Sequence, residues 1–366
     1  MEAKRMVYLS RCYRDCTSAG NKAKTDNEQT MDEMGFRNVG LPQRIGGNGI
    51  FIFFYDLVSV LKAVATLRRG DVLVLQYPVK KYFSFLCHMA HAKGAHVVAL
   101  IHDLGSFRRR KLTVPQEISR LSNADYIIAS NEKMKEWLVA QGLKKPVGAL
   151  GFFDYRSPAE PEPYQRQEEE PYHVVYAGSL AMRKNAFFLQ LPPFIHGFEL
   201  HIFGNGDKMP SLKEEKSFVF HGFQPADAFI RSVGGDFGLV WDGDSLDACT
   251  GSFGEYLKVN SPHKVSFYLR AGLPVIIWKE AALAPLIEQE GVGITISSLR
   301  DLASRLAAIT PEEYAAMRER VKSVADRLAK GAFFRRAAPT LINTLLPSLS
   351  DTVCSSDGGG SIDGRS

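Results

Sequence analysis

Gly254-Glu255-Tyr256-Leu257-Lys258-Val259-Asn260-Ser261-Pro262-His263-Lys264-Val265-Ser266-Phe267-Tyr268-Leu269-Arg270-Ala271-Gly272-Leu273-Pro274-Val275-Ile276 spells out a whole helix-to-strand transition in its residue types. Pro262 suits the first turn of a helix, where its missing N–H removes a donor that had no intrahelical partner anyway. The helix runs to Ala271, Gly272 stops it, and Pro274 opens a short apolar strand. His263 and Lys264 fall in the first turn, beside free amides and the positive end of the helix dipole, where phosphate or ribose oxygens can be held. Taken alone, the same two residues would read as an exposed helix start.

Outward from this stretch the pattern repeats. His173–Ala177, Glu199–Phe203, Phe218–His221, Phe237–Trp241 and Pro274–Ile277 are short, nearly continuous apolar runs separated by amphipathic segments. In the first half Arg5–Leu9, Asp71–Gln76, His96–Ile101 and Tyr126–Ala129 do the same, with helical spacing over Tyr82–Ala92 and over Lys133–Gln141 before Gly142. Strands apolar on both faces belong in parallel sheets covered by helices. The alternation predicts an α/β chain of two doubly wound, Rossmann-like domains. Between them Ser157–Pro171 packs four prolines and five glutamates into fifteen residues, which reads as a stiff, extended linker. The expected organisation is residues 1–156, a linker at 157–171, a second domain at 172–330 and a C-terminal helix at 331–350. Residues 355–366, ending Ile362-Asp363-Gly364-Arg365-Ser366, read as a disordered tail resembling a protease-site remnant, outside the fold.

Composition narrows the class. The chain has 366 residues, 45% hydrophobic and 23% charged, as expected of a globular protein with two cores. Its net charge of +5, from 45 basic and 40 acidic residues, is no nucleic-acid-binding signature. The densest basic cluster, Arg108-Arg109-Arg110-Lys111, suits a solvated loop or a peripheral contact with anions or a membrane surface. The longest apolar run, Ile50–Val60, is short and carries Asp56, so no transmembrane helix is expected, and the absence of a signal-peptide pattern points to the cytoplasm. Five scattered cysteines (Cys12, Cys16, Cys87, Cys249, Cys354) make no disulfide framework and read as reduced thiols. The dense run Phe51-Ile52-Phe53-Phe54-Tyr55 is a buried helix segment or an oligomer interface.

Chemistry in open α/β sheets gathers at the carboxyl ends of strands. After Val174–Ala177 comes Gly178-Ser179-Leu180-Ala181-Met182-Arg183-Lys184, a loop whose amides and two cations suit a diphosphate. After His201–Phe203 comes Gly204-Asn205-Gly206-Asp207, a tight turn. After Phe237–Val240 comes Trp241-Asp242-Gly243-Asp244, formally an Asp-x-Asp able to hold Mg²⁺ or Mn²⁺. Its place in the second domain favours Trp241 and Asp242 lining a nucleotide cleft.

The order Tyr-Ala-Gly-Ser-Leu, Phe-Gly-Asn-Gly, Gly-Leu-Val-Trp-Asp, Asn-x-Pro-His-Lys and Leu-x-Ala-Gly-Leu-Pro-Val-Ile resembles the second domain of GT-B glycosyltransferases. More narrowly it is similar to the branch with bacterial galactofuranosyltransferases and streptococcal adhesin glucosyltransferases. Lys22-Ala23-Lys24-Thr25-Asp26 and Ile101-His102-Asp103-Leu104 extend the resemblance into the first half. It departs from many retaining members in having Val259 and Phe267 near the places of two glutamates.

The resemblance implies two domains facing a central cleft and a UDP-hexose donor, galactofuranosyl or glucosyl, bound by the second domain. Gly178, Ser179, Leu180, Arg183, Lys184, Gly204, Trp241, Asp242, Tyr256, Asn260, Pro262, His263 and Lys264 form the donor set, with no metal cofactor. A glycan, glycolipid or glycoprotein acceptor would meet Ser18, Gly20, Asn21 and Lys22 in the loop Thr17–Lys22 of the first domain. In an inverting reaction His102 or Asp103 supplies the general base. The resemblance also suggests a homo-oligomer. Two competing readings are a metal-dependent transferase built on Asp242 and Asp244, and a non-catalytic sugar-nucleotide-binding subunit. A nicotinamide dehydrogenase is disfavoured, because Arg11-Cys12-Tyr13-Arg14-Asp15 stands where a glycine fingerprint would follow the first strand.

Overall fold

A computed structural model describes residues 5–15, 18–79, 82–107, 111–167 and 169–345. Thr17, Cys16, Arg108–Arg110, Cys354 and the Gly/Ser-rich tail lie outside them. Two six-stranded parallel sheets carry the fold. The first holds β1 (Met6–Tyr8), β3 (Arg37–Asn38), β5 (Val72–Tyr77), β6 (His96–Ile101), β7 (Tyr126–Ala129) and β8 (Val147–Ala149), in the order β3-β1-β5-β6-β7-β8. The second holds β9 (Tyr172–Ala177), β10 (Phe198–Phe203), β11 (Phe218–Gly222), β12 (Phe237–Val240), β13 (Val275–Trp278) and β14 (Gly293–Ile296), in the order β11-β10-β9-β12-β13-β14. A short separate pair joins β2 (Cys12–Tyr13) to β4 (Arg44–Ile45). β5, β7, β12 and β13 are buried along their whole length, which is why they read as unbroken apolar runs. In each sheet the strand order reverses once, between β1 and β5 and between β9 and β12, and those switch points are where an open α/β sheet binds ligands.

Helices α1 (Ala19–Glu33), α2 (Gly49–Thr66), α3 (Phe83–Ala92), α4 (Val114–Leu121) and α5 (Glu132–Ala140) accompany the first sheet. α6 (Met182–Asn185), α7 (Ser211–Glu214), α8 (Ala226–Ser232), α9 (Gly251–Leu257), α10 (His263–Arg270), α11 (Ala284–Glu290), α12 (Leu302–Ala307) and α13 (Pro311–Ala329) accompany the second. The last helix, α14 (Ala332–Leu345), crosses back to the first domain. The Asp154 carboxylate accepts from the amides of Phe333 and Phe334 at 3.1 and 2.8 Å, satisfying the start of α14, and Phe334 packs edge-on against Phe36.

Three expectations change. The segment after Ser157, expected as a linker that joins no core, is strapped down, with Ala159 buried: the Arg270 guanidinium, almost fully buried, donates to Glu160 (2.6 Å) and to the Ala159 (2.6 Å) and Ser157 (3.1 Å) carbonyls. Polar composition hid this, because the partner cation lies 110 residues away in sequence. The loop expected to meet the acceptor is the start of a helix, with Ser18 as N-cap and Gly20, Asn21 and Lys22 in the first turn of α1. Finally, the apolar run around Phe51 belongs to the eighteen-residue α2, of which only Asp56, Ser59, Val60 and Ala63 are buried. By length and composition α2 is apolar enough to cross a bilayer. Here it lies against the domain, because Asp56 is ion-paired with Arg11 and Ser59 bonds Ser10 O (3.1 Å) and Leu41 N (2.9 Å).

Candidate active site

The second switch point is organised by α10. Its start at Pro262–His263 and the left-handed Gly272 beyond its end follow the sequence reading. Tyr268 anchors the helix: its hydroxyl accepts from Ala177 N at 2.7 Å and donates to Leu239 O at 3.3 Å. Gly238 makes this packing possible, since a Cβ there would lie 2.3 Å from the Tyr268 ring. So held, α10 lays Lys264 across the end of β9. Gly178 adopts φ +142°, and a Cβ on it would meet Lys264 Cε at 2.9 Å. Gly204 stacks beneath, where a Cβ would meet Gly178 O at 2.3 Å, so its role is close packing of two strand ends.

Lys264 Nζ is buried without a hydrogen-bond partner, 3.5 Å from the centre of the Tyr176 ring. Burial pushes its pKa well below the ordinary lysine value; the neighbouring Lys184 adds to this and Asp242 opposes it. Lys184 pairs with Asp242 at 3.4 Å. Arg183, exposed in the short α6, lies 5.2 Å over the Phe253 ring, and Ser179 is exposed beside Gly178. The buried Asn260 Oδ1 and His263 Nε2 also lack partners. Buried polar atoms are normally satisfied, so three unsatisfied ones within five residues of the chain mark a place for a polar ligand. Burial, with the nearby Lys22 cation, lowers the His263 pKa to about 3, so its ring is neutral.

Several proposed donor contacts have other work. Trp241 is wholly buried, with its indole N–H on Ser245 O at 2.9 Å, and belongs to the core. It cannot line a cleft; an aromatic at a strand end looks the same in sequence whether it faces ligand or core. Leu180 is likewise buried. Tyr256 joins the two domains: its hydroxyl accepts from Leu104 N at 2.8 Å and its ring stacks on Phe107. Asn131, which the sequence reading passed over, does the same by donating to Val259 O (2.9 Å) and Ser261 Oγ (3.0 Å). Asp242 and Asp244 each have protein partners, Lys184 for one and the Thr250 hydroxyl for the other.

From the first domain His102 and Asp103 arrive at the carboxyl end of β6. His102 Nε2 lies 2.9 Å from Gln76 Oε1, while Nδ1 is buried without a partner. Since Gln76 Nε2 donates to Lys24 O (3.1 Å) and Glu28 Oε1 (3.3 Å), Gln76 Oε1 is the acceptor, and the proton sits on His102 Nε2. Nδ1 therefore carries a lone pair. Burial keeps the ring neutral, helped by Lys24 and His263. Behind it Glu28 accepts from Ser10 Oγ (2.6 Å) and Tyr13 OH (2.5 Å), and burial raises its pKa to about 7. Rings bridge the domains: Phe153, on which His102 stacks at 5.1 Å, meets His263 edge-on at 6.2 Å, and Tyr155 stacks on His263 at 5.0 Å, with Lys22 Nζ 4.9 Å from the Tyr155 ring centre. Lys22 is thus brought near His263 of the second domain, while Ser18 and Gly20 are exposed, and the Asn21 amide donates to Asp15 at 3.3 Å.

Two doubly wound sheets, a cation-lined switch point in the second and titratable groups facing it from the first define a glycosyltransferase of the GT-B fold. Residues 6–152 match the glucosyltransferase 3-like N-terminal domain and residues 174–341 the corresponding C-terminal domain, and the chain belongs to that family. It is 28% identical to beta-1,6-galactofuranosyltransferase WbbI of Escherichia coli (strain K12), over 89% of this chain and 95% of the relative. It is 25% identical to glucosyltransferase 3 of Streptococcus gordonii, over 85% and 92%. In structure it resembles Anabaena HepE in complex with UDP and glucose, with a TM-score of 0.55 and 13% identity over 93% of this chain and 99% of that one.

Proposed function

We propose that the chain transfers a hexosyl group, galactofuranosyl or glucosyl, from a UDP-sugar to a hydroxyl of a glycan, glycolipid or glycoprotein, without a metal. The observation that carries this reading is the buried, unpartnered Lys264 Nζ lying over Gly178 at the switch point. A diphosphate there would give Lys264, Lys184 and Arg183 their counter-charge, and its departure as UDP would be assisted by cations already in place. The relatives fit this: WbbI is named a galactofuranosyltransferase, and HepE was solved with UDP and glucose. His102 Nδ1 accepts the hydrogen bond of the acceptor hydroxyl and orients it. The adjacent Asp103 carboxylate takes the proton, because a ring whose cation is disfavoured by burial is a weak proton sink. Proton removal by Asp103 requires inversion at the anomeric carbon, so a product of retained configuration by NMR would overturn that assignment. Calorimetric titration of the full chain with UDP should show one saturable site; no binding at millimolar UDP would overturn the donor reading.

We further infer that the enzyme works at the inner face of the membrane, resting on it through α2. Ile50, Phe54, Val58 and Leu61 form an exposed stripe at helical spacing, flanked by exposed Phe51 and Phe53. From Arg37 to Gly70 the one acidic residue is the buried Asp56, while Arg44, Lys62, Arg68 and Arg69 are exposed. Apolar stripe and cationic border suit anionic lipid. The protein should co-float with vesicles containing phosphatidylglycerol, and Phe54→Ser with Leu61→Ser should stay behind. No flotation of the wild type, with a light-scattering mass at a multiple of 40.6 kDa, would give the stripe to a second copy of the chain instead.

A further inference from the structure

Three of the nine histidines sit together on one face of the second sheet, on β9, β10 and β11. Parallel register sets His173, second residue of β9, directly beside Glu199, second residue of β10. His201 lies two residues after Glu199 and so points to the same face. On the other side of β10, His221 reaches the group from β11, next to the register shift between Ile202 and Phe203.

Glu199 Oε2 lies 3.2 Å from His201 Nε2 and 3.6 Å from His173 Nε2, and one ligand atom from each of the three residues falls within 4.8 Å of the others. Ligand bonds of about 2.0–2.2 Å in a tetrahedral zinc site put the donor atoms roughly 3.4 Å apart, so the group needs only a small closure to embrace an ion. The remaining nitrogen of His201, Nδ1, lies 3.0 Å from His221 Nε2. A ligating imidazole is usually oriented through its second nitrogen in this way. The rings are held face to face, His173 on His201 at 4.6 Å, His201 on His221 at 5.1 Å and His221 on Phe203 at 4.3 Å.

We propose that His173, Glu199 and His201 form a binding site for a divalent transition-metal ion of the zinc type, with His221 orienting His201. Two imidazoles and one carboxylate select a borderline ion over Mg²⁺ or Ca²⁺, which take oxygen ligands. The Glu199 side chain is about half exposed, leaving the ion open to solvent for its fourth ligand. The ion would clamp the start of β9 to β10, stiffening the sheet that carries the donor site.

The test uses the untagged full chain, stripped with EDTA and dialysed. Zn²⁺ titration should show one equivalent bound and a raised melting midpoint, Mg²⁺ should give neither, and Co²⁺ should produce the visible absorption of a four-coordinate site. His201→Ala and His173→Ala should each weaken Zn²⁺ binding by about tenfold or more. Both variants should keep the wild-type UDP affinity, which shows that they are folded. Absence of a stoichiometric Zn²⁺ site in the wild type, equal binding by both folded variants, or an Mg²⁺ response equal to that of Zn²⁺ would each overturn the proposal.

Discussion

At the switch point of the second sheet two lysines, Lys184 and Lys264, face one buried carboxylate, Asp242. Near that of the first sheet the buried groups are acceptors: Glu28, held by Ser10, Tyr13 and Gln76, and His102 with a lone pair on Nδ1. Similar sheets thus carry opposite electrostatic tasks. Burial penalises charge in both, weakening the proton on Lys264 and strengthening the proton on Glu28, whose pKa rises to about 7. One half is prepared for an anion and the other for a proton. Neither can do the other's work, so transfer needs both halves closed together through Tyr256, Asn131 and the contacts of Phe153 and Tyr155 with His263.

The most direct way to break that division is on the proton side. Asp103→Asn should lower kcat by about 10²–10⁴-fold while UDP affinity stays at the wild-type value. His102→Ala should lower kcat less, because it removes orientation and leaves the carboxylate. If Asp103→Asn keeps its rate, the first domain does not supply the base from this loop.

On the anion side, Lys264→Ala should weaken UDP binding by about 1.5–3 kcal/mol, roughly 10- to 150-fold, the range for a hydrogen bond to a charged group. The depressed pKa sharpens this. In the empty protein Lys264 holds its proton less tightly than the unfolded chain does, so stability rises with pH from that lowered pKa towards the ordinary lysine value. A bound diphosphate reverses the shift, so in the pH window between the lowered and the ordinary lysine pKa UDP binding should take up protons. Calorimetry in buffers of different ionisation enthalpy should show that uptake in the wild type and lose it in Lys264→Ala. An unchanged dissociation constant would return Lys264 to a structural role.

The smallest effect expected is that of chelation. With cations and the start of α10 already facing the diphosphate, turnover should survive saturating EDTA within roughly a factor of ten. Asp244→Asn should be milder than Lys264→Ala, since Asp244 is exposed and bonded to Thr250. Loss of activity with EDTA, restored by Mn²⁺, would move the chemistry to Asp242 and Asp244.

Residue order alone was enough for the two doubly wound sheets and the helix that presents His263 and Lys264. Those follow from periodicity, proline and glycine punctuation, and the loops that parallel strands must end in, all local properties. What a polar residue faces is not local. α1 reads as a solvated helix, yet Asp26, Asn27, Glu28 and Thr30 are its buried side, because the groups satisfying them come from β2, β5 and the residues after β8. Trp241 reads as a ligand-facing aromatic and is core, and Phe54 is as apolar as a core residue and is exposed. The His173–Glu199–His201 group spans two strands whose register only the sheet defines. Sequence sets which segments become strands and helices; long-range packing decides which of their side chains are left without a partner, and those are the ones that meet a ligand.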